Sequence, residues 1–243
     1  MSTIGKIHSV ETLGALDGPG LRYVLFLQGC ELRCKYCHNP DTWNKRGGRL
    51  ASVDDVLSDI LKYESFIKDG GVTLSGGEPL LQPDFCRELI RELKKKNIHC
   101  AIDTAGMADI SVSAPVIAMA DLVLLDIKAA KKALHKEITG FSNSLPKATL
   151  QFCEDIAKPV WIRHVIIPKY TLRKEPLEKL GEYLSQFRCI ERVDLLPFHK
   201  MGEYKWEQLK LYVPFKNIPE PTDEQIAFAK NTLLKFNLPV FVN

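Results

Sequence analysis

The sequence predicts an α/β protein, a partial (β/α)6 barrel of the TIM type that is open at the side. Three observations carry this. Strand-like apolar runs alternate with helical periods about six times, the pattern of a parallel sheet with crossover helices. Polar residues cluster just after the strands, where parallel α/β folds carry their chemistry. The length of 243 residues suits one barrel domain, expected to span residues 1–243. Six units in place of eight imply an incomplete barrel, although a doubly wound open sheet would alternate in the same way.

The first strand is Tyr23 to Leu27, and Ser52, with Asp55 three residues on, opens a helix whose apolar face is Val53, Val56, Leu57, Ile60 and Leu61. The second strand is Gly71 to Leu74. Its helix runs from Pro83 to Lys96 with the stripe Phe85, Cys86, Leu89, Ile90 and Leu93. Ile98 to Ile102 is the third strand and Leu122 to Leu125, apolar throughout, the fourth, followed by a helix from about Pro146 to Ala157 behind Ser144. Val160 to Ile167, a helix from Glu175 to Phe187, and Val193 to Leu196 continue the series. Thr222, with Gln225 three residues later, caps a final helix ending near Phe236, and Val240 to Val242 adds a short strand.

A net charge of +3 among 26% charged residues creates no strong field, so neither nucleic acid nor a membrane is an expected partner. No apolar run approaches the roughly 20 residues of a membrane span, and the start MSTIGKIHSV lacks a secretory core, so a cytoplasmic location is expected. Cys30, Cys34 and Cys37 crowd together in CELRCKYC, which is poor spacing for a disulfide framework and points to metal or catalysis. Cys86, Cys100, Cys153 and Cys189 are scattered on apolar faces and read as small core residues.

The spacing C-x3-C-x2-C can wrap three thiolates around one iron–sulfur cluster. Such clusters ordinarily take four cysteines, so three leave one iron open to the amino and carboxylate groups of S-adenosylmethionine (SAM). The alternatives are a zinc site completed by a ligand such as His38, or three unrelated thiols. The other strand ends carry the glycine turn Ser75-Gly76-Gly77-Glu78, then Asp103 and Thr104, Asp126 and Lys128, and His199, while the fifth strand itself carries Arg163 and His164. SGGEP admits close approach of a ligand, or is a tight turn with a surface Glu78. Asp103 and Asp126 await a cation or a ribose hydroxyl, unless they serve as helix caps or Asp126 bridges to Lys128.

The run DGPGLRYVLFLQGCELRCKYCHNPDTW resembles the N-terminal signature of the glycyl-radical-enzyme activases, and the likeness continues through SGGEP, DTAG, LVLLDIK, VWIRHVIIP and LLPFHKMGEYKW. The resemblance implies a radical SAM oxidoreductase in which one 4Fe-4S cluster cleaves SAM to methionine and a 5'-deoxyadenosyl radical that takes hydrogen from a glycine of a partner protein. It implies cluster ligation by Cys30, Cys34 and Cys37, adenine along Tyr36 and His38, the SAM amino group at Gly77, and further SAM contacts at Asp126, Ile127, Lys128 and His199. Asp103, Thr104, Asp126 and the backbone of Leu124 correspond to a monovalent cation site, for Na or K. The loop from Asn39 to Leu50 lacks the ferredoxin-like insertion of some activases. That favours a partner of the pyruvate formate-lyase (formate C-acetyltransferase) type, with the electron arriving directly from reduced flavodoxin or ferredoxin. The competing readings are an activase of another glycyl radical enzyme, a radical SAM enzyme acting on a small molecule, and a non-catalytic electron carrier or zinc module.

Overall fold

Alternating burial builds the N-terminal edge of the protein, which in this computed structural model is described for residues 2–243. Ile4–Gly14 (β1) and Arg22–Leu27 (β2) pair antiparallel, and Arg49–Ser52 (β3) joins β1 on its other side. Helices Val53–Leu61 (α1) and Glu64–Ile67 (α2) lead to Gly71–Gly76 (β4), Pro83–Lys95 (α3), Cys100–Thr104 (β5) and Ile110–Met119 (α4). Leu122–Asp126 (β6), Lys132–Thr139 (α5), Ser144–Asp155 (α6), Val160–Ile166 (β7), Lys174–Leu184 (α7), Ile190–Pro197 (β8), Glu203–Gln208 (α8), Asp223–Leu234 (α9) and Val240–Val242 (β9) follow.

The chain divides into two compact units, one running through Glu31 with Thr42–Leu124, the other Leu32–Asp41 with Leu125–Asn243. In the first, the strand order β3-β1-β2-β4-β5 is antiparallel at the β1 edge and parallel from β2 onward. In the second, β7, β8 and β9 pair in parallel. The parallel strands β4 and β5, and β6 with them, are buried on both faces, as crossover helices require.

Local chemistry explains the helix starts. Ser52 and Asp55 form a reciprocal capping box at α1, Thr222 and Gln225 form another at α9, and Pro83 stands in the first turn of α3. In α6 the predicted start shifts. Ser144 is already helical, and the Asn143 side chain donates to the carbonyls of Ala129 and Ala130 at 3.2 and 2.8 Å instead of capping the helix.

The DGPG segment is tied down by Arg22, a fully buried residue. Its guanidinium donates to Thr73 Oγ1, to the carbonyls of Pro19, Gly70 and Val72, and to His99 Nδ1, while Thr73 Oγ1 donates to Asp17 O. Burial lowers the Arg22 pKa to about 10, still far above neutrality. The segment is therefore fixed at the amino ends of β2 and β4, which pair with Arg22 opposite Gly71.

Candidate active site

In the first unit, the backbone leaves β2 through Gly29, whose φ of +105° favours glycine and whose N–H donates to Thr42 O at 2.7 Å. Cys30 follows, buried. The SGGEP turn at the end of β4 lies directly against it. Gly77 N donates to Leu27 O and Glu78 N to Gly29 O, and a Cβ on Gly77 would sit 2.2 Å from Gly29 O and 3.1 Å from the Cys30 Cβ. Only glycine permits that approach.

Glu78 is not on the surface, which removes the alternative of a tight turn with an exposed side chain: it is 1% exposed. Its Oε1 accepts from Thr104 Oγ1 and Leu80 N, and its Oε2 from Ala105 N and Met107 N, so it laces the SGGEP turn to the end of β5. Burial, opposed by these four donors, raises its pKa to about 7. The Thr104 hydroxyl is thus committed to Glu78, and Asp103 Oδ2 accepts from Ser75 Oγ at 2.7 Å. Leu124, buried in β6, has its side chain in the core.

In the second unit, α5 has no counterpart among the predicted elements and proves to be an anchor. The carbonyls of Thr139 and Ile138 at its end accept from Arg33 N and Lys35 N, both at 2.9 Å, and Cys37 N closes a turn onto Cys34 O. The other anchor is the segment around α8. Trp206 Nε1 donates to Cys37 O at 2.8 Å, and Lys205 Nζ reaches Asn39 Oδ1 at 2.7 Å and Asp41 Oδ2 at 3.2 Å. A Cβ on Gly202 would lie 2.6 Å from the His38 Cα. His38 stacks on His199 with centroids 4.1 Å apart and donates from Nε2 to His199 O at 3.1 Å. Burial, then the neighbouring His199, lowers the His38 pKa and keeps its ring neutral.

Lys128 and Asp126 form a largely buried ion pair at 2.7 Å, so the alternative of a bridge at Asp126 is realised. The Lys128 ammonium also lies 5.7 Å from the Tyr36 ring centroid. Burial works against the Lys128 charge, but Asp126, Tyr36 and Cys34 outweigh it and hold the pKa above the ordinary value. Burial also pushes the Tyr36 phenol well above its usual range.

Ile127 is buried, and its N–H donates to Arg163 O. Arg163 and His164 lie within β7, as expected, on opposite faces. His164 is buried, donates from Nδ1 to Ile127 O at 2.6 Å and has its pKa lowered to about 4 by burial. It is a core histidine.

None of the seven cysteines is in a disulfide, and Cys86, Cys100 and Cys153 are buried with their thiol pKa values raised by burial. Among the described residues no group of three or more His, Cys, Asp or Glu is gathered as a cage for a single ion. A cluster distributes its thiolates over several irons and does not need such a cage. The donor set fits it: thiols on an anchored loop, with buried Tyr36 Oη and His199 Nδ1 lacking partners in the cleft beside Cys37.

Residues 16–144 match the family described as a 4Fe-4S single cluster domain. A radical SAM methyltransferase from Sphaerobacter thermophilus superposes with a TM-score of 0.69 over 91% of this chain and 66% of that one at 14% identity, a likeness of fold. This bears out the predicted fold class, and the family match over residues 16–144 defines a protein of the 4Fe-4S single cluster domain family.

Two curated relatives narrow the class. The pyruvate formate-lyase-activating enzyme of Streptococcus mutans is 42% identical, covering 94% of this chain and 90% of the relative. That of Listeria monocytogenes is 41% identical, covering 95% and 96%. A solved domain of the enzyme of that name from Bacteroides vulgatus covers 72% of this chain and 99% of its own, with a TM-score of 0.61 at 24% identity. The chain belongs to the family of pyruvate formate-lyase-activating enzymes. Among the described residues no helix is long and apolar enough to cross a membrane.

Proposed function

We propose that this chain, as one radical SAM domain over residues 1–243, activates a glycyl radical enzyme of the pyruvate formate-lyase type. The observation that carries the reading is the cysteine loop, fixed to the end of α5 on one side and to Trp206 and Lys205 on the other. A bound 4Fe-4S cluster and SAM would supply the electron and the 5'-deoxyadenosyl radical, leaving methionine and 5'-deoxyadenosine. The chain's own task is positioning, which accounts for much of what protein scaffolds contribute around reactive cofactors.

Cys30, Cys34 and Cys37 hold the cluster. Tyr36 and His38 flank the adenine, and a neutral His38 suits that role. Gly77 leaves room for the SAM amino group, while Asp126, Ile127, Lys128 and His199 hold the rest of the molecule. Asp103, Thr104 and Asp126, with the Leu124 carbonyl, are assigned to a Na or K ion. Thr104 contributes there through its backbone, since its hydroxyl serves Glu78. Reduced flavodoxin or ferredoxin is the electron donor, and Arg163 with Asp17 is assigned to the partner's peptide backbone.

A glycyl radical is favoured because it delocalises into both flanking amides, so transfer from a primary carbon radical runs downhill. The test mixes reduced holoenzyme, SAM and pyruvate formate-lyase without oxygen. A glycyl electron paramagnetic resonance signal should appear together with 5'-deoxyadenosine. SAM cleavage without a glycyl signal on any glycyl radical enzyme supplied would overturn the reading.

A further inference from the structure

The end of α5 and the cysteine loop complete each other in the second unit. A helix leaves its last carbonyls unpaired, and here those of Ile138 and Thr139 accept from Lys35 N and Arg33 N, the N–H groups on either side of Cys34. Cys37 N is taken too, by Cys34 O at 3.1 Å. Three N–H groups of the loop therefore serve carbonyls. Around an iron–sulfur cluster the competing acceptor for such groups is sulfur, and N–H···S bonds stabilise the more negative, reduced cluster and raise its potential. The carboxyl end of α5 works in the same direction, since its partial negative charge opposes an added electron.

A staple across the helix end holds those two carbonyls in register. The chain leaves α5 through Gly140 at φ +86°, and Thr139 Oγ1 donates to His135 O at 2.7 Å and accepts from Phe141 N at 3.2 Å. His135 Nδ1 in turn donates to Phe141 O at 2.8 Å. The residue is 1% exposed, and its Nε2 is buried without a partner. An unpaired buried nitrogen is unfavourable and an apolar side chain would fill the space without it, so the bond at Nδ1 is what the imidazole contributes. We propose that His135 is a positioning residue for the cluster: by tying Phe141 back to the last turn of α5, it keeps the Ile138 and Thr139 carbonyls on the N–H groups flanking Cys34, withholds those groups from sulfur and so keeps the cluster strongly reducing. A low potential is what SAM cleavage requires, because a sulfonium accepts an electron only from a strong reductant. The inference rests on Cys34 as a cluster ligand.

The experiment measures the midpoint potential of the cluster in anaerobically reconstituted holoenzyme without SAM, by redox titration followed with electron paramagnetic resonance. Iron and sulfide content and circular dichroism are recorded beside it. His135→Ala should keep its cluster and shift the reduction equilibrium about tenfold or more toward the reduced form, about 59 mV upward for a one-electron couple. His135→Asn, whose amide nitrogen takes the place of Nδ1 and can donate to Phe141 O, should stay within about twofold of the parent. Thr139→Val, which removes the hydroxyl but keeps the shape, should shift the same way by about threefold. An Ala variant with a full cluster at the parent's potential, or an Asn variant shifted as far as Ala, overturns the proposal. If Ala loses the cluster, Thr139→Val decides: an upward shift supports the staple, and an unchanged potential or a lost cluster overturns it. A parent that takes up no cluster refutes the assignment of Cys34 and this inference with it, whereas the glycyl signal tests the activase reading separately.

Discussion

Replacing Glu78 by Gln separates two forces that the structure sets against each other. Its carboxyl group is buried, which favours the neutral acid, yet it accepts from Thr104 Oγ1 and from the N–H groups of Leu80, Ala105 and Met107, which favour the carboxylate. Burial wins, and the folded pKa is raised from the ordinary 4.5 to about 7. The sign follows directly. With the folded pKa above the unfolded one, the native state binds the extra proton between these values, so this contribution to stability is fully present below about pH 4.5 and is lost as pH rises through about 7. Raising the pKa from 4.5 to about 7 corresponds to about 3 kcal/mol.

Gln carries no such titration. Its oxygen can keep the Ala105 and Met107 donors and its nitrogen can donate to Thr104 Oγ1, but then the amide nitrogen opposes Leu80 N–H, costing about 1–3 kcal/mol. Denaturant unfolding of the parent and E78Q apoproteins from pH 5 to 8 should therefore show the parent ahead at the acid end, and its advantage shrinking by up to about 3 kcal/mol as pH rises. A parent-minus-variant difference that is flat or that grows with pH would refute the reasoning, because the four donors would then have outweighed burial.

Three other outcomes are expected from the same structure. Alanine at Cys30, Cys34 or Cys37 should abolish the cluster, read by iron and sulfide analysis, and with it SAM cleavage, whereas Cys153→Ala in the buried face of α6 should lower stability only. Asn at Asp103 or Asp126 should weaken SAM binding by about tenfold and make it sensitive to the choice of monovalent salt, measured by calorimetry in Na and K buffers. Arg22→Met strands the carbonyls of Pro19, Gly70 and Val72 in the interior, costing about 3–5 kcal/mol and lowering the melting temperature of the apoprotein by about 10 °C.

The features legible in the sequence are those with local signatures. The capping boxes at Ser52 and Thr222, the proline start of α3 and the apolar run of β6 all occur where expected. The N-terminal strand β1 and the edge strand β3 carry no such mark, because β1 is half exposed and its outward positions include Lys6, Ser9 and Glu11, while β3 is only four residues long. Helix α4 is hidden because ISVSAPVIAM has no polar face and contains Pro115, and α5 because eight residues give barely two turns of period. Of the candidate site, the cysteine motif is plain from spacing. Glu78 looks like a surface residue in sequence because its four donors come from Thr104 and from the backbone of residues 80, 105 and 107, a convergence that only folding produces.

The contact between Gly202 and His38 has a mechanical consequence. With 2.6 Å between a would-be Cβ and the His38 Cα, and with Trp206 and Lys205 tied to Cys37, Asn39 and Asp41, the start of α8 and the cysteine loop have no independent freedom of movement. They behave as one stiff piece. Any load applied to the surface of α8 at Tyr204, which is 55% exposed, is delivered to the backbone of Cys37 without a compliant joint between them.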